Sequence, residues 1–165
     1  MCTDSKSALT GGKANEGKKL TEGTKLVGDL IKSDKRVTIE AVDGHENITH
    51  KTKDGNSKVI VDLSNPADGS KGNSVQNADG SYGRPAEIGL GHELIHADMN
   101  ATGNTDSTPV KVIKPDIPNS VAFPNAIPQG AVGTTTQEEI NVRDRENKIR
   151  KEQGVEPRAE LKKAN

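Results

Sequence analysis

Residues 83–104 read GRPAEIGLGHELIHADMNATGN, and at their centre stands His92-Glu93-Leu94-Ile95-His96. Pro85 suits the first turn of a helix, where its missing N–H would have no partner, and Glu87 follows where the helix dipole favours an acid. Ile88, Ile95 and Met99 fall on one stripe and Gly103 supplies a stop, so the spacing predicts a helix over about residues 85–101. Residues four apart on a helix lie one above the other, so His92 and His96 present both imidazoles to one point. A tetrahedral zinc ion takes two nitrogen ligands in that way, at about 2.0–2.1 Å. Glu93 projects near the same face, where it can accept the proton of a zinc-activated water and pass it to a leaving amine. The competing reading is a surface helix with two solvated histidines. Against it, the motif falls inside a predicted helix and takes two of the four histidines in the chain.

A catalytic zinc needs a third protein ligand, with water in the fourth position. The longer pattern H-E-x-x-H-x-x-G-x-x-H is absent, because Met99 and Thr102 stand at its Gly and His positions. No histidine or cysteine follows His96, so the third ligand is an Asp or Glu downstream, or else His45 or His50 upstream. Asp98 lies around the side of the helix and is poorly placed. Glu138 and Glu139 are better, at the start of a later helix and after a loop long enough to fold back. The same pair also has a simpler explanation, two acids favoured by a helix N-terminus.

Working outward, residues 1–18 are polar and rich in Gly, Lys and Ser, and read as a flexible lead-in. KLTEGTKLVGDLIKSD places Leu20, Val27, Leu30 and Ile31 at roughly helical spacing. RVTIEAV (36–42) alternates as a half-buried strand, and Asp43-Gly44 after it suits a hairpin turn. ENITHKTKDGNSKVIVDLS reads as two strands joined at Asp54-Gly55-Asn56, the three together forming a meander. Residues 64–82 and 104–134 read as long loops. One of Thr134, Thr135 and Thr136 caps a last helix, QEEINVRDRENKIRKEQG, which stops at Gly154 and offers Ile140, Val142 and Ile149 for packing. Residues 19–160 thus form a single domain, with 161–165 as a tail. The class is α+β, with the motif helix against a short, mostly antiparallel sheet.

Composition narrows the function. Only 30% of residues are hydrophobic and 1% aromatic, and the net charge is −1. Leu, Ile, Val and Phe make up about a fifth of the chain, near the limit for a packed core, so a bound metal would add useful stability. A near-neutral chain with almost no aromatic stacking surface excludes a dedicated nucleic-acid binder. Cys2 is the single cysteine, so an internal disulfide or a thiolate zinc cluster is excluded. No apolar run reaches the ~18 residues of a membrane span, and the N-terminus has no apolar signal region.

LGHELIHADMNATG followed by EEINVRDRENKIRKEQGVEPR resembles the NleD/HopH type of effector metallopeptidase, also found as toxin domains of Rhs-like polymorphic proteins. The matching features are Leu90-Gly91 before the motif, the pair Glu138-Glu139, and the tail Glu146-Asn147, Ile149-Arg150, Glu152, Gly154 and Arg158. The resemblance implies a zincin-like domain of gluzincin type, with Zn2+ on His92, His96 and one glutamate of the pair, Glu139 narrowly ahead of Glu138. Glu93 is then the general base. An aromatic expected shortly after Arg158 is replaced by Ala159-Glu160-Leu161, which leaves Tyr82 or Arg158 to polarise the carbonyl. The implied activity is hydrolysis of a target protein by an effector or toxin, secreted by a dedicated system and delivered into another cell. An immunity or chaperone protein is the expected further partner. The strand SKVIVDL is expected at the sheet edge, where it would receive substrate as an added strand. The alternative function is a zinc-holding but catalytically weak binding module of a larger secretion-associated protein.

Overall fold

The computed structural model describes residues 21–44, 46–64, 75–113 and 131–164. The predicted lead-in, Cys2 and His45 lie outside these residues. In chain order the elements are α1 (Glu22–Lys32), β1 (Val37–Ala41), β2 (Ile48–Lys51), β3 (Ser57–Val61) and α2 (Ala86–Ala101). Then follow β4 (Pro109–Ile113), β5 (Val132–Thr136), α3 (Gln137–Gln153) and β6 (Lys162–Lys163). The class is α+β, with two small sheets in which only the β1–β3 pairing is parallel.

Helix α2 is the centre of the molecule. Leu90, Leu94, Ile95, Ala97 and Met99 are all buried, on more than one face of the helix. A helix apolar nearly all round is one that neighbours enclose. Leu26 of α1, Val59 and Val61 of β3, and Val142 and Ile149 of α3 complete the core around it. The motif helix is therefore the most enclosed element among the described residues.

The first sheet has the order β1-β3-β2. The hairpin at Asp54-Gly55-Asn56 forms as expected, and Gly55 takes the positive φ of 88° that its turn requires. Two expectations are corrected. Asp43-Gly44 does not fold β1 back onto β2, because β3 lies between them and pairs with β1 in parallel. SKVIVDL is the central strand, not the edge. Val59 and Val61 face α2 with no exposed surface, so their strand is the one enclosed on both sides, and β2 takes the edge.

The second sheet, order β5-β4-β6, occupies part of what reads as a loop over residues 104–134, and draws Lys162–Lys163 of the expected tail onto β4. Its strands are short and mostly exposed, with Val112 the one buried side chain of β4, so no long buried alternation betrays them. Backbone N–H groups of Gln137 and Glu138 donate to Thr108 and Asp106 carbonyls, which fastens the start of α3. Thr136 caps that helix, its hydroxyl accepting from the Glu139 N–H at 3.2 Å, and Gly154 ends it at φ 72°. In α1, Leu26 is the buried anchor, with Val27 and Leu30 beside it, whereas Ile31 is exposed, contrary to the expected stripe. Among the described residues no helix is long and apolar enough to cross a membrane.

Candidate metal centre

Helical spacing brings His92 and His96 edge to face, with ring centroids 5.1 Å apart and planes 70° apart. Helix α3 packs across α2 and brings Glu139 to them. Glu139 Oε2 lies 3.4 Å from His92 Nε2 and 3.4 Å from His96 Nε2. These separations exceed the usual N–H···O range of about 2.7–3.2 Å. They match the edge of a tetrahedron, because ligands about 2.0–2.1 Å from one zinc ion stand about 3.3 Å apart. One ligand atom from each residue lies within 4.8 Å of the others, so these three side chains can hold a metal ion.

The far sides of both imidazoles are engaged by carboxylates. His92 Nδ1 lies 2.7 Å from Glu146 Oε2, and His96 Nδ1 lies 2.6 Å from Glu138 Oε1. A proton on each Nδ1 leaves each Nε2 with a lone pair directed at the common point. Glu138 and Glu139 thus have different places despite their adjacency. Glu138 is buried against His96 and accepts from Lys51 Nζ at 2.6 and 2.8 Å, outside the three-residue cluster.

Burial disfavours ionised Glu139, but when His92 and His96 are protonated their contacts and charge, with Arg143 adding to them, outweigh it and hold the carboxyl far below its usual range. The same balance, with His92 and the nearby Arg158 and Arg84 in the attractive role, lowers Glu146. For His96, burial opposes the charged form and contacts with Glu139 and Glu138 overcome it, raising its pKa. An ionised Glu139 facing two imidazoles is a donor set that a dication can take.

Arginines surround the carboxylates. Arg143 Nε donates to Glu139 Oε1 at 2.7 Å, and Arg150 Nε donates to Glu146 Oε1 at 2.7 Å. Arg158 Nη1 stands 3.3 Å from Glu146 Oε2 and 3.8 Å from Glu139 Oε1. Arg84 Nη1 is 3.8 Å from Glu146 Oε2 and runs over Gly89, where an added Cβ would come within 3.3 Å of Arg84 Nε and 2.7 Å of Asn47 Nδ2. That close approach explains a glycine inside the best-packed helix.

Glu93 is buried, and its Oε2 accepts from Thr49 Oγ1 at 2.7 Å. Of the two groups expected to polarise a carbonyl, Arg158 reaches the cluster's carboxylate, while the Tyr82 hydroxyl meets Gln76 Nε2 at 3.3 Å in the segment before α2. His50 is exposed on β2 and stays outside the cluster, and Asp98 pairs with Arg145 at 2.8 Å. Sequence reasoning missed Thr49, Lys51, Arg84, Arg143 and the histidine contact of Glu146. A signal existed for two of them. Arg143 is four residues and Glu146 seven residues after Glu139, so all three share a helix face.

Neither the curated proteins nor the solved structures contain a match to this chain. A family model does match, Peptidase_M91, described as an effector protein, over residues 10–160. That span holds the motif helix, the acidic pair and the arginines around them, and the chain belongs to this family of effector peptidases, the NleD/HopH type.

Proposed function

We propose that this effector peptidase is a zinc-dependent endopeptidase of gluzincin type, with its ion on His92, His96 and Glu139. The observation that carries this reading is the pair of 3.4 Å separations between Glu139 Oε2 and the two Nε2 atoms. The residues fit zinc in kind as well as distance, being two imidazoles and one ionised carboxylate.

Zinc held there supplies the Lewis acidity that makes water nucleophilic near neutral pH. Glu93 takes the proton of the attacking water and returns it to the leaving amide nitrogen. Thr49 holds one of its oxygens, so the base keeps one orientation through both transfers. Arg158 stabilises the developing negative charge on the carbonyl oxygen, in preference to Tyr82. The substrate is a segment of a target protein, paired in extended form along the outer edge of β2, which is the edge strand nearest Glu93. Residues 19–160 form the catalytic unit, and a dedicated secretion system delivers the protein into the cell that contains its target.

The test is metal content by mass spectrometry for wild type, Glu93→Ala and His92→Ala, beside cleavage of proteins in a target-cell lysate read from new N-termini. Wild type and Glu93→Ala are expected to carry about one zinc and His92→Ala little, with cleavage by wild type alone. Absence of zinc from all three, even when it is supplied, would overturn the reading. Zinc without cleavage would leave a binding module in place of an enzyme.

A further inference from the structure

The two carboxylates behind the imidazoles sit in different surroundings. Glu146 is enclosed in the core and answered by Arg150, itself without exposed surface. Glu138 is answered by a lysine from a different element. Lys51 Nζ lies 2.6 Å from Oε1 and 2.8 Å from Oε2 of Glu138, and the same Oε1 is 2.6 Å from His96 Nδ1. Lys51 is the last residue of β2, two residues after Thr49, which holds Glu93. Residues two apart on a strand point to the same face, so one edge strand sends one side chain to the base and the next to the support of a histidine.

We propose that Lys51 is a positioning residue for the metal, acting from the edge strand through Glu138 on His96. This deepens the zinc reading and rests on it. The lysine neutralises Glu138 in its buried place and fixes which way its carboxylate faces. Glu138 in turn fixes the ring of His96 and keeps the Nδ1 proton, so that Nε2 points at the ion. Lys51 touches neither metal nor reacting atoms. Its effect is therefore on how tightly the ion is held, and Thr49, its neighbour on the same face, has no such path to the histidines among the contacts described.

The experiment measures zinc affinity of the folded full chain by competition with a chromophoric chelator. It compares wild type with Lys51→Met, Lys51→Arg, Glu138→Gln, the Lys51→Met/Glu138→Gln double variant and Thr49→Val. Loss of an outer partner of a metal-bound histidine costs about 10–100-fold in affinity. Lys51→Met and Glu138→Gln are each expected to lose that much, and the double variant little more, because both break one chain of contacts. Lys51→Arg is expected to recover most of the affinity, since it restores the charge, and Thr49→Val to bind as wild type does. A general loosening of β2 would weaken Thr49→Val and Lys51→Met alike, and that result overturns the proposal. Wild-type affinity in Lys51→Met overturns it too and leaves the zinc site standing. Failure of wild type itself to bind zinc removes the zinc reading and this one together.

Discussion

The carboxylate of Glu152, near the end of α3, accepts the backbone N–H of Thr21 at 2.9 Å and of Glu22 at 2.9 and 3.0 Å. Thr21 makes no side-chain cap of its own, so the first helix is capped by a residue 131 positions away. The contact closes α1 onto the helix that carries Glu138, Glu139 and Glu146.

Acid is expected to weaken that closure. Burial acts to raise the Glu152 pKa, but the hydrogen bonds from Thr21 and Glu22 outweigh it and leave it below the usual glutamate value. A group with a lowered folded pKa contributes stability that is fully present above the unfolded value, about 4.3, and is lost as pH falls through the folded value. Glu152→Gln should therefore flatten part of the acid limb of the stability curve. At neutral pH it should cost about 0.5–1 kcal/mol, the low end for a cap, because the group is partly in solvent. Urea unfolding between neutral pH and pH 3 checks both.

Removing Glu146 is expected to cost much more. Glu146 and Arg150 have no exposed surface, and Glu146→Ala would leave the guanidinium buried without its carboxylate. Breaking a buried pair in this way costs about 3–5 kcal/mol. Equilibrium unfolding of the zinc-free protein isolates this cost from the loss of metal.

Zinc should stabilise the protein in proportion to its free concentration. At about a thousandfold excess over Kd the gain is about 4 kcal/mol, which for a chain of this size raises Tm by about 8–16 °C. Calorimetry with and without a chelator measures the shift. It should vanish in His96→Ala, whose protein has lost one of the three converging atoms.

Glu139→Gln and Glu138→Gln should separate by degree. The first changes the oxygen that faces both Nε2 atoms, and should lose more than the roughly 100-fold in zinc affinity that marks the upper end for an outer partner. The second should stay within that range. Equal losses would contradict the different places of the two side chains, and chelator competition reads both.

Much of the site is legible without the fold because it is local. His92 and His96 face one point through helical spacing alone, and the Pro85, Thr136 and Gly154 signals bound the two helices that matter to within a residue or so. The α+β class follows from those helices and the strand-forming runs RVTIEAV and SKVIVDL, although Ile39 and Ala41 of β1 are exposed and not half-buried as their alternation predicts. Strand order is different. Each strand of the first sheet is visible, yet β3 becomes central only because Val59 and Val61 must be covered by α2, a relation between elements that no window of residues contains. The second sheet escapes for a related reason, its short strands being held by pairing while most of their side chains, Ile113 and Val132 included, stay exposed.

The division is sharpest at the neighbours Glu138 and Glu139. Sequence places both on the first turn of α3 and offers the same charge and the same reach. The crossing of α3 over α2 sends one to the Nε2 side of the histidines and the other to the Nδ1 side, and β2 supplies the lysine that answers the second. Periodicity determines which face of a helix a side chain is on. What that face meets is decided by packing among elements far apart in the chain, because only there do burial, charge and distance act together.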